Sequence, residues 1–321
     1  FESVEPDAFA AASIGQVHRG VLRDGREVAV KIQYPDIDRM VQADLKNLKA
    51  LLGNLVSLFS DIDFEPVWEE VKERLFEELD YLQEADNIRR TATMQADYPE
   101  ILVPAVVQEA TSRRVLTMEF LGGIPPAEAA SDRYPQRLKD QWGIKLFEFT
   151  LRSLFEHRFL HADPNFANFA FREDGRVVVY DYGCMKAIPA DIAAGYAGLI
   201  RAVIHKNKAA IPGLLHDMGV FKEGDTPFPR DMTDPYVDLL QDIVRTAPPY
   251  TFGDDSSIYE ALYDLGMANW QHANDIRFPR DVVFIDRTLV GLFGNLGKLR
   301  ATGPWRQFLL DHTAAAAALS K

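Results

Sequence analysis

Apolar and polar residues alternate along Gln16–Leu22 and again along Glu27–Gln33, the period-2 pattern of half-buried strands. Asp24-Gly25 lies between the two runs and predicts a β-hairpin. Pro35 ends the second run, because proline cannot donate to a ladder. From Ile37 to Phe59 the apolar spacing turns helical through Met40, Leu45, Leu48, Leu51, Leu52 and Leu55. A second helix is expected from about Pro66 to about Arg90, carrying Val71, Leu75, Leu79 and Leu82. Two more strands are expected at Ile101–Glu109 and Arg113–Leu121, after which Gly122-Gly123 and Pro125-Pro126 predict a hinge. Beyond it the pattern predicts a helix from Tyr134 to about Phe159, then a hairpin of Asn168–Arg172 and Arg176–Asp181 around Asp174-Gly175. From Ala190 onward helices with Pro- and Gly-marked breaks are expected. The order predicts an α+β chain: a small lobe with an antiparallel sheet over 1–121 and a larger, mostly helical lobe over 122–321.

Composition narrows the function classes. At 321 residues, 47% hydrophobic and 26% charged, the chain has the make-up of a folded globular protein, which excludes disorder. Its 35 Lys+Arg against 48 Asp+Glu leave a net charge of −13. That sign argues against a nucleic-acid partner and against anionic lipid held through bulk charge. No apolar run approaches the ~20 residues that span a bilayer, and Phe1-Glu2-Ser3 opens no signal peptide. A cytoplasmic location, or one peripheral to an inner membrane, is therefore expected. The missing initial Met predicts a fragment or processed product. The single cysteine, Cys184, excludes an intrachain disulfide and a cysteine-cluster metal site.

Four local features carry chemistry. Val28-Ala29-Val30-Lys31 places an ammonium in an apolar strand, where it needs a cleft or a partner. Taken alone it reads as an edge lysine facing solvent, yet the run fits the phosphate-pairing lysine strand of kinases. Glu77-Glu78-Leu79-Asp80-Tyr81-Leu82-Gln83-Glu84 reads as an acidic helix in which Asp80 and Glu84 share a face and repel by ~0.2–0.5 kcal/mol. A solvated acidic face is the plain reading, whereas a carboxylate turned to Lys31 would relieve the repulsion. The most specific feature is Asp163-Pro164-Asn165-Phe166-Ala167-Asn168 followed, after a hairpin, by Asp181-Tyr182-Gly183. Asp163 and Asn168 have the spacing of the catalytic-loop Asp and metal-binding Asn of phosphotransferases, and Asp-Tyr-Gly stands where kinases carry Asp-Phe-Gly. Together Asp163, Asn168 and Asp181 can supply a carboxylate near an attacking hydroxyl and hard oxygens for Mg²⁺. A bare Asp-Pro-Asn turn would explain the first cluster but not the second Asp. His161, without a second His at ligand spacing, reads as a packed loop histidine rather than a zinc ligand. Last, Phe9–Val17 occupies the place of a glycine-rich loop but is alanine-rich, with only Gly15 left, and by itself it could start a helix.

With Ala10-Ala11-Ala12-Ser13-Ile14-Gly15-Gln16-Val17-His18, Val28–Pro35, Glu78-Leu79-Asp80-Tyr81, Asp163–Asn168 and Asp181-Tyr182-Gly183 in this order, the chain resembles the UbiB (aarF-domain, ADCK-type) atypical kinase-like family. The Asp-Pro-Asn loop is similar to the branch of mitochondrial coenzyme Q-biosynthesis kinase-like proteins. The likeness extends to Pro249-Tyr250-Thr251-Phe252-Gly253 and Gly297-Lys298-Leu299-Arg300. It implies a bilobal protein-kinase-like fold that binds ATP or ADP with Mg²⁺. Lys31 would pair with phosphates and Glu84 would be its helix partner, with Asp163 as the catalytic-loop carboxylate and Asn168 and Asp181 as metal ligands. Ala10, Ala11, Ala12 and Ser13 would cover the nucleotide, and Glu119, Phe120, Leu121 and Gly122 would form the hinge that meets adenine. Glu78 and Asp80 match a motif thought to restrict protein substrates. Implied partners are a lipid or quinone precursor, quinone-biosynthesis enzymes and a peripheral membrane contact. The family's Lys-x-Gly-Gln helix and its terminal transmembrane hairpin have no match in the sequence, and Tyr182 replaces Phe.

The resemblance favours an atypical kinase or ATPase in ubiquinone or isoprenoid-lipid metabolism. No Ala-Pro-Glu peptide-docking signature follows Asp181, which argues against a protein kinase. Two alternatives stand beside it: a phosphotransferase of the aminoglycoside or choline kinase type, and a nucleotide-gated scaffold without catalysis.

Overall fold

The computed structural model of the chain describes residues 1–41, 45, 79–222, 228–253, 258–268 and 276–318. Ile37–Val41 and Leu45 are helical; the rest of the helix expected over Ile37–Phe59, and the part of the next before Leu79, lie outside the described residues. The chain divides into two compact units, 1–122 with 179–184, and 123–178 with 185–321.

The first unit is built on an antiparallel sheet. Its strands are β1 (Ser3–Val4), β2 (Ala10–Ala12), β3 (Gly15–Val21), β4 (Glu27–Gln33) and β6 (Val115–Glu119), with β5 (Ile101–Leu102) elsewhere in the unit. The Asp24-Gly25 hairpin forms as expected and joins β3 to β4, with Val17 opposite Lys31. β4 lies between β3 and β6, so it is an inner strand and the edge-lysine reading of Lys31 fails. Val28 and Val30 pack with Leu22 and Val107 into an apolar cluster, joined by Ile32, Ala110 and Val115. The strand expected over Ile101–Glu109 stops at Leu102, and Gln108–Ala110 is a 3₁₀ turn. Pro104, lacking an N–H, cannot continue a ladder there.

The second unit is mostly helical. The expected Tyr134–Phe159 helix is α-helical over Gln136–Leu151 and closes in a π turn over Arg152–Glu156. Trp142 is fully buried, tilts against Phe171 at 5.1 Å and donates from Nε1 to the Arg172 carbonyl at 2.9 Å. That bond fastens the helix to the hairpin of β8 (Phe169–Phe171) and β9 (Val177–Val179), which turns at Asp174-Gly175. β7 (Phe159–His161) pairs antiparallel with β10 (Met185–Ala187). Prolines 135, 189, 229 and 279 each stand immediately before a helix, over Gln136–Leu151, Ala190–Ile204, Arg230–Leu240 and Arg280–Leu299. Fixed near φ −65°, proline is shaped for a helix entrance and barred from its interior. Trp305–Ala318 is the last helix described.

Candidate functional site

The alternation of β4 decides where Lys31 points. Val28, Val30 and Ile32 take the apolar face, so Lys31 and Gln33 fall on the other. There Lys31 Nζ donates to both Glu84 carboxylate oxygens at 2.9 Å and to Asp181 Oδ2 at 3.2 Å. The Tyr81 ring centroid lies 5.1 Å from the same nitrogen. Lys31 is 8% exposed and Glu84 4%, so the pair is shielded from water. Burial by itself would push the ammonium down, but the Glu84 and Asp181 carboxylates outweigh it and hold Lys31 above its ordinary value. Burial also pushes the Glu84 carboxyl up, against the pull of Lys31. With two carboxylates around one cation, the ammonium is the group this cluster keeps firmly charged.

Glu84 owes its place to where its helix starts. The helix runs Tyr81–Met94, and Asp80 is its N-cap, with extended dihedrals (φ −121°, ψ 93°) and a carboxylate that accepts from the Leu82 N–H at 3.0 Å. This corrects the expectation of one helix running through Asp80 to about Arg90. Asp80 stands outside the helix, satisfies one of its orphan donors, and shares no face with Glu84. Glu78 lies outside the described residues.

Asp181 is anchored by its own segment. Its Oδ1 accepts from the Gly183 N–H at 3.0 Å, and the Tyr182 carbonyl accepts from Asn87 Nδ2 at 2.9 Å. Burial, then the charge of Asp181, push the Tyr182 phenol up, so its hydroxyl keeps its proton. The Tyr180 hydroxyl donates to the Leu121 carbonyl at 2.7 Å, which occupies one acceptor of the expected hinge. In that hinge Glu119 ends β6, and Phe120 meets Phe9 edge-on at 5.7 Å and carries Arg19 over its ring at 4.5 Å.

The alanine-rich segment is a β-hairpin, not a helix start: Ala10, Ala11 and Ala12 pair with Val17, Gln16 and Gly15 around a tip at Ser13-Ile14. Gly15 is required there, since a Cβ would sit 2.2 Å from the Ile32 carbonyl oxygen. Ala10, Ala11 and Ser13 are exposed and Ala12 is half-buried.

Asp163 and Asn168 belong to the second unit, where Asn168 Nδ2 donates to Asp163 Oδ2 at 2.8 Å. Asn165 Oδ1 accepts from the Ala167 N–H at 3.1 Å and opens the 3₁₀ turn Phe166–Asn168 that brings the two together. The Arg280–Leu299 helix clasps this loop from outside. Asn295 Nδ2 donates to the Pro164 carbonyl at 2.7 Å, and Arg287 donates to the Ala162 carbonyl. Gly291 permits the approach, because a Cβ there would meet Pro164 Cγ at 2.3 Å. A cavity of about 540 Å³ adjoins the loop, bordered by Gly291, Gly294, Gly297 and Lys298. His161 sits in β7 rather than in a loop, packed 6.2 Å from Phe149 and 5.8 Å from Phe169.

Thus the residues expected from sequence form two clusters, Lys31 with Glu84 and Asp181, and Asp163 with Asn168. Asn87, Arg287 and Asn295 escaped the sequence reading, as did the contact of Tyr81 with Lys31. Each acts through a contact 50 or more residues away in the chain, and no local pattern marks such a partner. The donors in both clusters are oxygens of the kind Mg²⁺ takes, and the amide of Asn168, spent on Asp163, leaves its carbonyl oxygen available. Among the described residues no three His, Cys, Asp or Glu side chains form a metal cage of their own. A Mg²⁺ would draw its remaining ligands from phosphate and water.

Residues 1–214 match the ABC1 atypical kinase-like domain. The chain belongs to that family. It is 36% identical over 252 residues to the atypical kinase COQ8B, mitochondrial, of Rattus norvegicus, covering 78% of this chain and 47% of that protein. It is 30% identical over 308 residues to the atypical kinase coq-8, mitochondrial, of Caenorhabditis elegans, covering 94% and 40%. The chain therefore spans about half the length, or less, of these curated relatives. Among solved structures, that of Rv3197 with erythromycin from Mycobacterium tuberculosis superposes with a TM-score of 0.77 at 27% identity, covering 96% of this chain and 76% of that one. The fold is α+β and kinase-like, and nucleotide with Mg²⁺ is what kinase-like families use in general.

Proposed function

We propose that the chain is the nucleotide-binding core of an atypical kinase or ATPase that acts on a small molecule or lipid in ubiquinone or isoprenoid-lipid metabolism. The observation that carries this reading is the buried Lys31 ammonium, held by Glu84 and Asp181 on the polar face of an inner strand. An ammonium fixed this way is aimed as a point charge and keeps its proton, as a phosphate partner must. In this reading residues 1–121 hold the nucleotide, with Ala10–Ser13 as its cover and Glu119–Gly122 as the adenine edge, and residues 122–321 carry the catalytic loop. Asn168 and Asp181 would hold Mg²⁺, which neutralises phosphate charge when bound. Asp163, oriented by the Asn168 amide, would accept the proton of the attacking hydroxyl or water. The names of the relatives support the link to quinone metabolism.

The test is thermal unfolding with and without saturating Mg·ATP, followed by hydrolysis assays on Asp163→Asn. Mg·ATP should raise the melting temperature of both proteins, and the substitution should lower turnover by about 10²-fold or more. No shift in the wild type would remove the nucleotide from the function. Full turnover in the variant would remove Asp163 from the chemistry.

A further inference from the structure

Six helices of the second unit border a second cavity, open on one side and of about 380 Å³, lined by Phe147, Leu199, Val203, Leu240, Leu289 and Leu309 among others. That volume falls in the range of roughly 300–1,000 Å³ typical of small-molecule sites. None of its lining residues belongs to the catalytic loop or to the Lys31 cluster.

One of the lining residues is ionisable in the neutral range. Asp286, from the Arg280–Leu299 helix, accepts a hydrogen bond on Oδ1 from the Tyr196 hydroxyl at 2.7 Å, while that hydroxyl also lies 3.1 Å from the Val282 carbonyl. Asp286 is an exposed residue, and its side chain forms part of the cavity lining. Among the described residues no Lys, Arg or His pairs with it, and Asp286 is the one formal charge in the lining. Burial pushes the carboxyl up to about 6 and the Tyr196 hydrogen bond pulls it down, so it is ionised at neutral pH. With no Lys, Arg or His on it among the described residues, this carboxylate beside an apolar lining offers a charge-assisted partner to a cation that a ligand brings.

We propose that this cavity binds a hydrophobic amine, with the ammonium paired to Asp286 Oδ2 beside the Tyr196 hydroxyl and the apolar body among the helices. The site stands apart from the nucleotide reading and does not depend on it. Phenylbutylamine, phenylbutanol and butylbenzene share one body and differ in the head group, so calorimetry with the three separates charge from apolar fit. The amine should bind about tenfold or more tightly than the alcohol, as a charge-assisted hydrogen bond requires, and butylbenzene should bind more weakly still. Asp286→Asn should bring the amine down to the level of the alcohol, and Leu289→Trp, which fills the chamber, should abolish all three. Hydrogen exchange on the wild-type protein covers the case of a variant that does not fold: the amine should slow exchange over 196–203 and 282–293. Equal binding of amine and alcohol, undiminished amine binding by Asp286→Asn, no binding of the amine, or protection confined to other segments would each overturn the proposal.

Discussion

Lys31 shows how one residue is decided by its surroundings. Nothing in Val28-Ala29-Val30-Lys31 says whether the ammonium is solvated; two carboxylates from segments 53 and 150 residues away make it a buried cation. Lys31→Met would leave Glu84 and Asp181 facing each other without it. Breaking such a buried pair costs about 3–5 kcal/mol, so urea unfolding should report a loss of that order, together with lost nucleotide binding. An unchanged midpoint would show that the cluster contributes little to stability. Asp286 is the opposite case, an acid whose folded-state value is raised, to about 6 from 3.8, by desolvation from the protein around it although the residue itself is exposed. Such a group binds its proton more tightly when folded, so its contribution is complete below about pH 4 and is lost as pH rises through about 6. Asp286→Asn does not titrate. The melting temperature of the wild type, relative to this variant, should therefore fall between pH 4 and pH 7, and a flat difference across that window would contradict the assignment.

At the scale of elements, caps and close approaches place the side chains. Asp80, itself extended, caps the helix that carries Glu84 and Asn87, both buried. Asp80→Ala removes an N-cap worth about 1 kcal/mol, and because the frayed turn holds Glu84, the KM for ATP should rise with little change in kcat. A variant with wild-type stability and KM would mean that the cap does not position Glu84. Period-2 alternation in β4 was legible and sufficient to put Lys31 and Gln33 on one face. The helix start at Tyr81 was not legible, because acidic residues on both sides of it gave a continuous pattern and only the Asp80 dihedrals break it. The strand expected through Pro104 failed for a reason that was visible in the sequence, since proline cannot donate to a ladder. The alanine-rich segment was ambiguous between helix and loop, and its pairing with β3 decided for a hairpin.

For the whole molecule, the net charge of −13 bears on what surface the protein meets. Like charge repels an anionic bilayer, and the repulsion grows as salt is removed. Cosedimentation with anionic vesicles should therefore not increase when ionic strength drops from about 0.15 M to about 0.02 M; a steep increase would reveal a basic patch strong enough to override the bulk charge. Among the described residues no helix is long and apolar enough to cross a membrane. The linear sequence by itself determined strands β3 and β4, the hairpins at Asp24-Gly25 and Asp174-Gly175, the mostly helical character of the second unit, and the candidate residues Lys31, Asp163, Asn168 and Asp181. All of these follow from local backbone sterics, from periodicity, or from short motifs whose spacing the chemistry demands. Only the tertiary structure decided that Lys31 sits on an inner strand, that Asn87, Arg287 and Asn295 hold the functional backbone, and that Asp286 opens into an apolar chamber. Those facts depend on burial and on contacts between distant segments, which packing sets and local pattern does not encode.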